Sequence, residues 1–192
     1  MNIDRLRECV VAFTRLVDRC DDEGTTLSGG TEILARLIKH DDWLPEFVAA
    51  PDEKSYRQYL LYCDPLERFS IVSFVWGPGQ STPIHNHTVW GLIGVLRGEE
   101  HSRRFDVQAD GSLTAAEWEK MLPGDIDVVS PSHGDIHQVS NGLSDRASIS
   151  IHVYGANIGS VTRYVFDPQT GTPKSFISGY SNTAIPNLWH RV

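Results

Sequence analysis

The stretch from Trp76 to Gly98, WGPGQSTPIHNHTVWGLIGVLRG, decides the fold assignment. It opens at the end of a β-rich run, which stops at a Gly-Pro-Gly turn signal, and it contains the H-x-H pair His85 and His87. Residues i and i+2 of a strand point to the same side of a sheet, so both imidazoles can face one metal ion. Alone, the pair is weak evidence, because two histidines also occur together on ordinary strand surfaces.

The glycines around this pair add specificity. Five residues separate Gly79 from His85, three separate His87 from Gly91, and six separate Gly91 from Gly98. This spacing resembles the first sequence motif of the cupins, except that cupins normally have Glu where this chain has Gly91. The facial set of two histidines and one carboxylate, common in non-haem iron oxygenases, therefore lacks its carboxylate here.

A second cupin-like motif follows with small length shifts. Its residues are Pro131, Gly134, His137 and Asn141. Two motifs in the right order are much stronger evidence than either one alone, and the resemblance to cupins covers roughly residues 70–165. It implies a β-barrel with three metal ligands, His85, His87 and His137.

The strand pattern agrees with a barrel. Short β-rich runs recur from about residue 68 and are separated by Gly, Pro, Asn and Asp; they occupy residues 69–76, 83–90, 92–97, 101–107, 126–130, 136–140, 147–154 and 161–166. Many short strands without a long helix between them are typical of an antiparallel sandwich or barrel. The prediction is a mainly β fold, a cupin (double-stranded β-helix or jelly-roll) barrel with N-terminal helices packed on it.

Helical periodicity is confined to the first third of the chain. Apolar residues recur at three- and four-residue steps over residues 3–20, and a polar, Gly-rich break follows from Asp21 to Gly30. Thr31 is expected to cap a second helix, and a third helical patch is expected around residues 52–61. We expect residues 1–62 to form a helical region packed on a barrel of residues 63–192, within one structural domain.

Composition excludes several classes of function. The chain has 192 residues and a formal net charge of -8, without a Lys/Arg block, which argues against a nucleic-acid partner. The first residues lack a basic segment followed by an apolar one, and no apolar run approaches 18 residues, so neither a signal peptide nor a membrane span is expected, and a cytoplasmic protein is. Cys9, Cys20 and Cys63 form no C-x-x-C pair and fit reduced thiols. The oligomeric state stays open.

A second group of polar residues follows the motifs. Residues 147–154 alternate strictly, and one face carries Ser148, Ser150, His152 and Tyr154. This face is either solvated or a polar relay inside the barrel, in which Ser150 orients His152 and His152 binds the Tyr154 hydroxyl. Strand periodicity cannot decide which face lies inside.

Together these residues resemble the cysteine dioxygenase family of thiol dioxygenases, specifically its bacterial type I members. The resemblance rests on the H-x-H pair, His137, the Ser150-x-His152-x-Tyr154 line and the lead-in from Trp76. It implies one Fe(II) per chain and a small thiol and O₂ as partners. Members add both oxygen atoms to the sulfur and produce a sulfinic acid; Ser150, His152 and Tyr154 would be the catalytic residues.

Two departures from the animal-type enzymes matter. Residues 88–98 contain no Cys, so the thioether between Cys and the active-site Tyr is not expected. Gln58 stands near the position of an Arg that holds the substrate carboxylate, as in 3-mercaptopropionate dioxygenases, and Arg163 matches an Arg that such members use instead. Arg57 is the alternative to Gln58, since the alignment there is uncertain by about one residue. We expect 3-mercaptopropionate to be preferred over L-cysteine.

Two other functions remain open from the sequence. Three histidines and a water also form a catalytic zinc site, so a zinc or manganese cupin with isomerase or decarboxylase activity is one alternative. A non-catalytic cupin that senses a small ligand is the other. Metal analysis and O₂ uptake with a panel of thiols would separate the three.

Overall fold

The computed structural model of the protein describes residues 3–182, so the last ten residues of the predicted barrel region, 183–192, lie outside the described residues. Two α-helices come first, α1 (Asp4–Arg19) and α2 (Glu23–Ile38). Short 3-10 helices follow at Glu46–Val48 and Ile158–Ser160. Neither α1 nor α2 is long and apolar enough to cross a membrane.

The rest of the described chain is mainly β. Its strands are β1 (Arg57–Cys63), β2 (Ser70–Trp76), β3 (Gly91–Arg97), β4 (Glu100–Val107), β5 (Leu113–Ala115), β6 (Glu119–Met121), β7 (Ile126–Val129), β8 (His137–Asn141), β9 (Ser148–Tyr154), β10 (Arg163–Phe166) and β11 (Pro173–Phe176). The paired strands run antiparallel. The predicted mainly β fold is confirmed.

Two curved layers form the barrel. The first is a five-stranded sheet in the order β1-β2-β9-β3-β7, and the second contains β5, β4 and β6, with β8 paired to β4. The segment before β3 joins the second layer to the β10-β11 hairpin, because His85 bridges His137 on one side and Val165 on the other. This arrangement is the double-stranded β-helix of a cupin.

The five-stranded sheet is buried on both sides. Residues of β2 and β9 that face outward, such as Ile71 and Ile151, pack in a cluster with α1 and α2. Residues that face inward, such as Phe74, Trp76 and Tyr154, belong to a second cluster inside the barrel. The N-terminal helices thus cover the outer face, and the inner face is left for the site.

Helix α2 differs from the prediction. Asp22 caps it, since its side chain accepts a hydrogen bond from the Thr25 backbone N–H at 2.8 Å, and Thr31 lies in the middle of the helix. The expected Gly-rich break is therefore wrong. A Cβ on Gly30 would lie 2.7 Å from Leu92 of β3, so the glycine permits close helix–sheet packing, which offsets its low helix propensity.

The helical patch expected at residues 52–61 is also wrong, because Arg57–Cys63 is strand β1, at the edge of the first sheet. Tyr59 and Tyr62 have high β propensity, and the segment pairs with β2 along its length. These two effects outweigh the helical spacing of its apolar residues. The expected strand at 83–90 is reduced to isolated bridges. Strands β5, β6 and β11 were not predicted; each has only three or four residues.

Candidate metal centre

Three histidines meet inside the barrel. His85 and His137 exchange backbone hydrogen bonds, with N···O distances of 3.0 and 2.9 Å, which fixes their backbones side by side. His87 lies two residues further along. One ring nitrogen from each residue lies within 4.8 Å of the others, and all three residues are buried. The H-x-H pair therefore converges with His137 even though it does not lie on a continuous strand.

Hydrogen bonds orient two of these rings. Nδ1 of His85 lies 3.1 Å from the Pro83 carbonyl oxygen, and Nδ1 of His87 lies 2.9 Å from Oδ1 of Asp135. Both acceptors hold the proton on Nδ1 and leave Nε2 free. Nε2 of His87 is buried and has no partner among the described residues. A histidine held by a carboxylate is the usual arrangement behind a metal ligand.

Asp135 is a functional residue that the sequence analysis missed. Its carboxylate also accepts hydrogen bonds from the backbone N–H groups of His87 and Thr88, at 3.0 and 2.8 Å. Thr88 has a φ of 60°, a left-handed conformation that is uncommon for Thr and that this carboxylate anchors. Asp135 lies two residues before His137, inside the second motif, and this position is the one feature of the sequence that could have pointed to it.

The three imidazoles are neutral. Burial, with a further contribution from the Arg163 charge, lowers the pKa of His85 to about 4. Burial and then the neighbouring His85 hold the pKa of His87 and of His137 well below the ordinary value. Neutral imidazole is the form that binds a metal ion. The donor set fits Fe(II) and also zinc.

Gly91 occupies the position where the first cupin motif has Glu. A Cβ there would lie 2.8 Å from Cδ1 of Tyr154 and 2.9 Å from Cγ2 of Val129. The Tyr154 ring fills this space and stacks on His87, with 5.3 Å between the ring centroids. The missing carboxylate is thus replaced by a phenol beside the three histidines.

The polar face of β9 points into the barrel. Oγ of Ser150 lies 2.7 Å from Nε2 of His152, and Nδ1 of His152 lies 2.8 Å from the Tyr154 hydroxyl. All three residues are buried, which excludes the solvated alternative. Burial raises the pKa of Tyr154 and lowers that of His152, so both groups are neutral. Trp76, whose contact with the relay was not predicted from the sequence, donates its indole N–H to Oγ of Ser150 at 3.3 Å.

One cavity of about 250 Å³ connects these groups. Its lining includes His85 and His137 of the metal centre, and His152 and Tyr154 of the relay, together with Gln58 and Arg163. Cys9, Cys20 and Cys63 are free and do not line it. Two histidines of the candidate metal centre, a phenol that can donate a proton and a guanidinium therefore line one small cavity.

Arg163 brings an unpaired positive charge to this cavity. It is 3% exposed and forms no ion pair within the described residues. Its Nη2 donates to Oγ of Ser178 at 2.6 Å, its Nε has no partner, and its guanidinium lies 4.8 Å from the centroid of the Phe176 ring. Burial lowers the pKa of Arg163, yet a guanidinium stays charged in proteins. The site can therefore receive an anion.

Gln58 and Arg57, the two alternatives from the sequence, point in different directions. Gln58 lines the cavity, whereas Arg57 forms an ion pair with Asp52 and does not line the cavity. Nε2 of Gln58 donates to Oγ of Ser178 and to the Gly179 carbonyl, each at 3.2 Å. Both amide hydrogens are thus used, and the carbonyl oxygen is the free end of the amide. Nothing in the sequence pattern marked Ser178 or Gly179.

Comparisons with known proteins give one family match and several similar solved structures. A family model described as cysteine dioxygenase type I matches residues 41–166. Among solved structures, the chain is similar to a protein with a double-stranded β-helix domain from Klebsiella pneumoniae, with 17% identity, a TM-score of 0.48, and 62% of this chain and 95% of that chain covered. An RmlC-like cupin from Desulfovibrio desulfuricans matches with 22% identity, a TM-score of 0.41, and 55% and 87% coverage.

Proposed function

Because the chain belongs to the cysteine dioxygenase type I family, we propose that it is a non-haem iron(II) thiol dioxygenase. It adds both atoms of O₂ to the sulfur of a small thiol carboxylate and releases a sulfinic acid. The thiol sulfur supplies all the electrons that reduce O₂, so the reaction needs no external reductant. The observation that carries this proposal is the cavity that His85 and His137 of the three-histidine cluster share with Arg163, which forms no ion pair among the described residues.

The ligand set favours an anionic sulfur. Three neutral imidazoles leave the full charge of a divalent ion uncompensated, and a thiolate compensates it. Iron(II), when bound, would supply open coordination positions and the redox chemistry that sulfur oxygenation needs. The protein's own contribution is to fix His85, His87 and His137 and to enclose the space next to them.

Arg163 and Gln58 define the other end of the substrate. The guanidinium attracts a carboxylate and can bind it through two parallel hydrogen bonds. The Gln58 carbonyl oxygen could accept a hydrogen bond from a substrate ammonium, a possibility that the sequence did not indicate. That ammonium would nevertheless lie near Arg163 and a divalent ion in a poorly screened cavity. We therefore propose 3-mercaptopropionate, which has no amine, as a better substrate than L-cysteine.

Tyr154 is the proposed proton donor. Its hydroxyl lies at the cavity wall, and its raised pKa keeps the proton in place. A positioned donor of this kind stabilises negative charge that develops on oxygen or on the substrate carboxylate. His152 and Ser150 hold the phenol in one orientation, since their side chains are bonded in series behind it.

Metal analysis combined with O₂ uptake tests the proposal. We expect about one iron per chain, O₂ consumption with 3-mercaptopropionate above that with L-cysteine or cysteamine, and two labelled oxygen atoms in the product from ¹⁸O₂. His85→Ala, His87→Ala and His137→Ala should lose both iron and activity. The matched control is His133→Ala, whose side chain is 62% exposed.

Three outcomes would contradict parts of the proposal. Bound zinc without O₂ uptake would favour a zinc cupin, and ligand binding without turnover would favour a sensor. L-cysteine as clearly the best substrate would contradict the argument from Gln58. Iron retained in His137→Ala but lost in His133→Ala would overturn the ligand assignment.

A further inference from the structure

A buried carboxyl group lies at the far side of the relay. Glu100 is the first residue of β4, and its side chain is 0% exposed. Its register partners are the uncharged Met121 on β6 and Asn141 on β8. Neither carboxyl oxygen has a hydrogen-bond partner of ordinary geometry among the described residues, and no cationic side chain there pairs with it. The proposed function gives this group no role.

Three polar groups face the Glu100 carboxyl, and one of them, Ser150, belongs to the relay. Ser150 and Ser148 face it from β9, and Trp76 faces it from β2. Further along the same face of β4, Arg104 is already paired with Asp127. A buried carboxylate without a cation is unfavourable, so the group keeps its proton. Accordingly, burial raises the pKa of Glu100 to about 8.

We propose that Glu100, as a neutral acid, is a positioning residue that sets the direction of the hydrogen bonds along Ser150, His152 and Tyr154, so that the Tyr154 hydroxyl donates into the cavity. This inference concerns the arrangement of protons behind Tyr154. Its consequence for turnover rests on the proposed function.

The direction follows from which groups can only donate. The Trp76 indole N–H is a donor only, and it reaches Oγ of Ser150. The carboxyl group of Glu100 faces the same oxygen, so a protonated Glu100 that closes this gap is a second donor toward it. Ser150 therefore gives its own hydrogen to Nε2 of His152. The single proton of the neutral ring is then on Nδ1, and it is donated to the Tyr154 oxygen, which leaves the phenol hydrogen for the cavity.

Ionised Glu100 would reverse this order. A carboxylate accepts, so Ser150 would turn its hydrogen toward Glu100. Nε2–H of His152 would then donate to Ser150, and Nδ1 would accept the hydrogen of Tyr154. The phenol would no longer donate into the cavity. Every other group that faces the carboxyl is uncharged, namely Ser148, Ser150, Trp76, Met121 and Asn141. Glu100 is therefore the group whose ionisation can switch between the two arrangements.

The test is the tautomer of His152 in metal-free protein, read by ¹⁵N NMR of the imidazole against pH, with the ¹³C shift of the Glu100 carboxyl followed in parallel. We expect the proton on Nδ1 at about pH 6 and its transfer to Nε2 as Glu100 ionises. In Glu100→Gln, which cannot ionise, the tautomer should not change with pH. Glu99→Gln is the matched control, since Glu99 pairs with Lys120 and leaves the relay untouched.

Activity provides the second readout. Wild type and Glu99→Gln should lose turnover as pH rises through the pKa of Glu100, and Glu100→Gln should lack that alkaline limb. A wild-type proton on Nε2 at about pH 6, or a tautomer change that persists in Glu100→Gln, would overturn the inference. The NMR arm uses protein without metal or thiol, so its result stands even if the protein does not oxygenate thiols.

Discussion

At the scale of single residues, the site combines neutral ligands with one buried cation. Burial, with smaller contributions from neighbouring positive charges, lowers the pKa of His85, His87 and His137 and keeps them uncharged, while Arg163 remains charged beside them. The two kinds of group therefore have different roles: the neutral histidines can bind a metal ion, and the guanidinium can bind the anionic end of a ligand. Each role can be tested by a substitution that leaves the other intact.

Removal of the Tyr154 hydroxyl should separate metal binding from turnover. Tyr154→Phe keeps the ring that stacks on His87, so iron content should be unchanged. Turnover should fall by about 10²–10⁴-fold, the usual effect of losing a positioned proton donor. Steady-state O₂ consumption and metal analysis on the same preparation measure both. Tyr164→Phe, an exposed position on β10, is the control, and full activity in Tyr154→Phe would exclude the donor role.

Removal of the Arg163 charge should affect only thiols with a carboxylate. Arg163→Met should raise the KM for 3-mercaptopropionate by roughly 30-fold to 5,000-fold, which corresponds to the loss of one partner of a buried charged pair. Oxidation of cysteamine, which has no carboxylate, should change little. Arg57→Met is the matched control, because its partner Asp52 is not part of the cavity lining. An equal loss with all thiols would assign Arg163 a structural role.

At the scale of elements, glycines set how closely strands and side chains approach. A Cβ on Gly94 of β3 would lie 2.8 Å from Ile38 of α2, and a Cβ on Gly30 of α2 would lie 2.7 Å from Leu92. Helix α2 therefore packs directly against the outer side of β3. On the inner side of the same strand, Gly91 makes room for Tyr154. Strand β3 thus fixes the helix and the phenol together.

Gly91→Ala should disturb the relay and leave the metal ligands in place. The new Cβ would collide with Val129 and with the Tyr154 ring, which its bond to His152 restrains. We expect a loss of about 1–3 kcal/mol in the free energy of unfolding, typical of overpacking, together with reduced turnover and retained iron. Urea unfolding and metal analysis measure these effects. Gly24→Ala is the control and should be tolerated, because the nearest atom to an added Cβ, Oδ1 of Asp22, lies 3.5 Å away, at ordinary contact distance.

At the scale of the whole molecule, four neutral histidines and one neutral carboxyl group are buried in the same barrel. The pKa of His85, His87, His137 and His152 is lowered by burial, and that of Glu100 is raised. The unfolded chain binds protons to these histidines below about pH 6.5, and it releases the Glu100 proton above about pH 4.5. The two effects on stability have opposite signs.

Metal-free protein should therefore be most stable near pH 6.5. Below that pH the four histidines bind protons in the unfolded state but not in the folded state. Each of them then lowers the free energy of unfolding by about 1.4 kcal/mol per pH unit, so stability falls steeply. Above it, the folded state still holds the Glu100 proton up to about pH 8, and the free energy of unfolding falls more gently. Urea unfolding at several pH values checks this.

The matched variant for that measurement is Glu100→Gln. It should remove the gentle fall between about pH 6.5 and 8 and steepen the fall between about pH 6.5 and 4.5, because the Glu100 contribution spans both ranges and has the opposite sign to that of the histidines. Iron binding should raise stability most near neutral pH, since acid protonates the ligands. A stability profile without any decline below pH 6.5 would contradict the buried neutral histidines.

The sequence alone predicted the barrel, the three histidines of the candidate metal centre and the members of the proposed relay. These rest on short-range spacing: His85 and His87 are separated by one residue, Ser150, His152 and Tyr154 share one strand face, and turn residues mark most strand ends. Such patterns are local, and local backbone geometry dictates them. The family model over residues 41–166 agrees with that assignment.

Only the tertiary structure decided what these patterns face. Periodicity groups the polar residues of β9 but cannot say which side is inside, and it cannot choose between Arg57 and Gln58, which alternate on one strand. A hydrogen bond to Ser178, 120 residues away, holds the Gln58 side chain at the cavity. Gly30 is tolerated in α2 because β3 packs closely against it. Asp135, Trp76 and Glu100 acquire their contacts in the same way. Contacts between distant segments are absent from any local pattern, because they form only when the barrel closes.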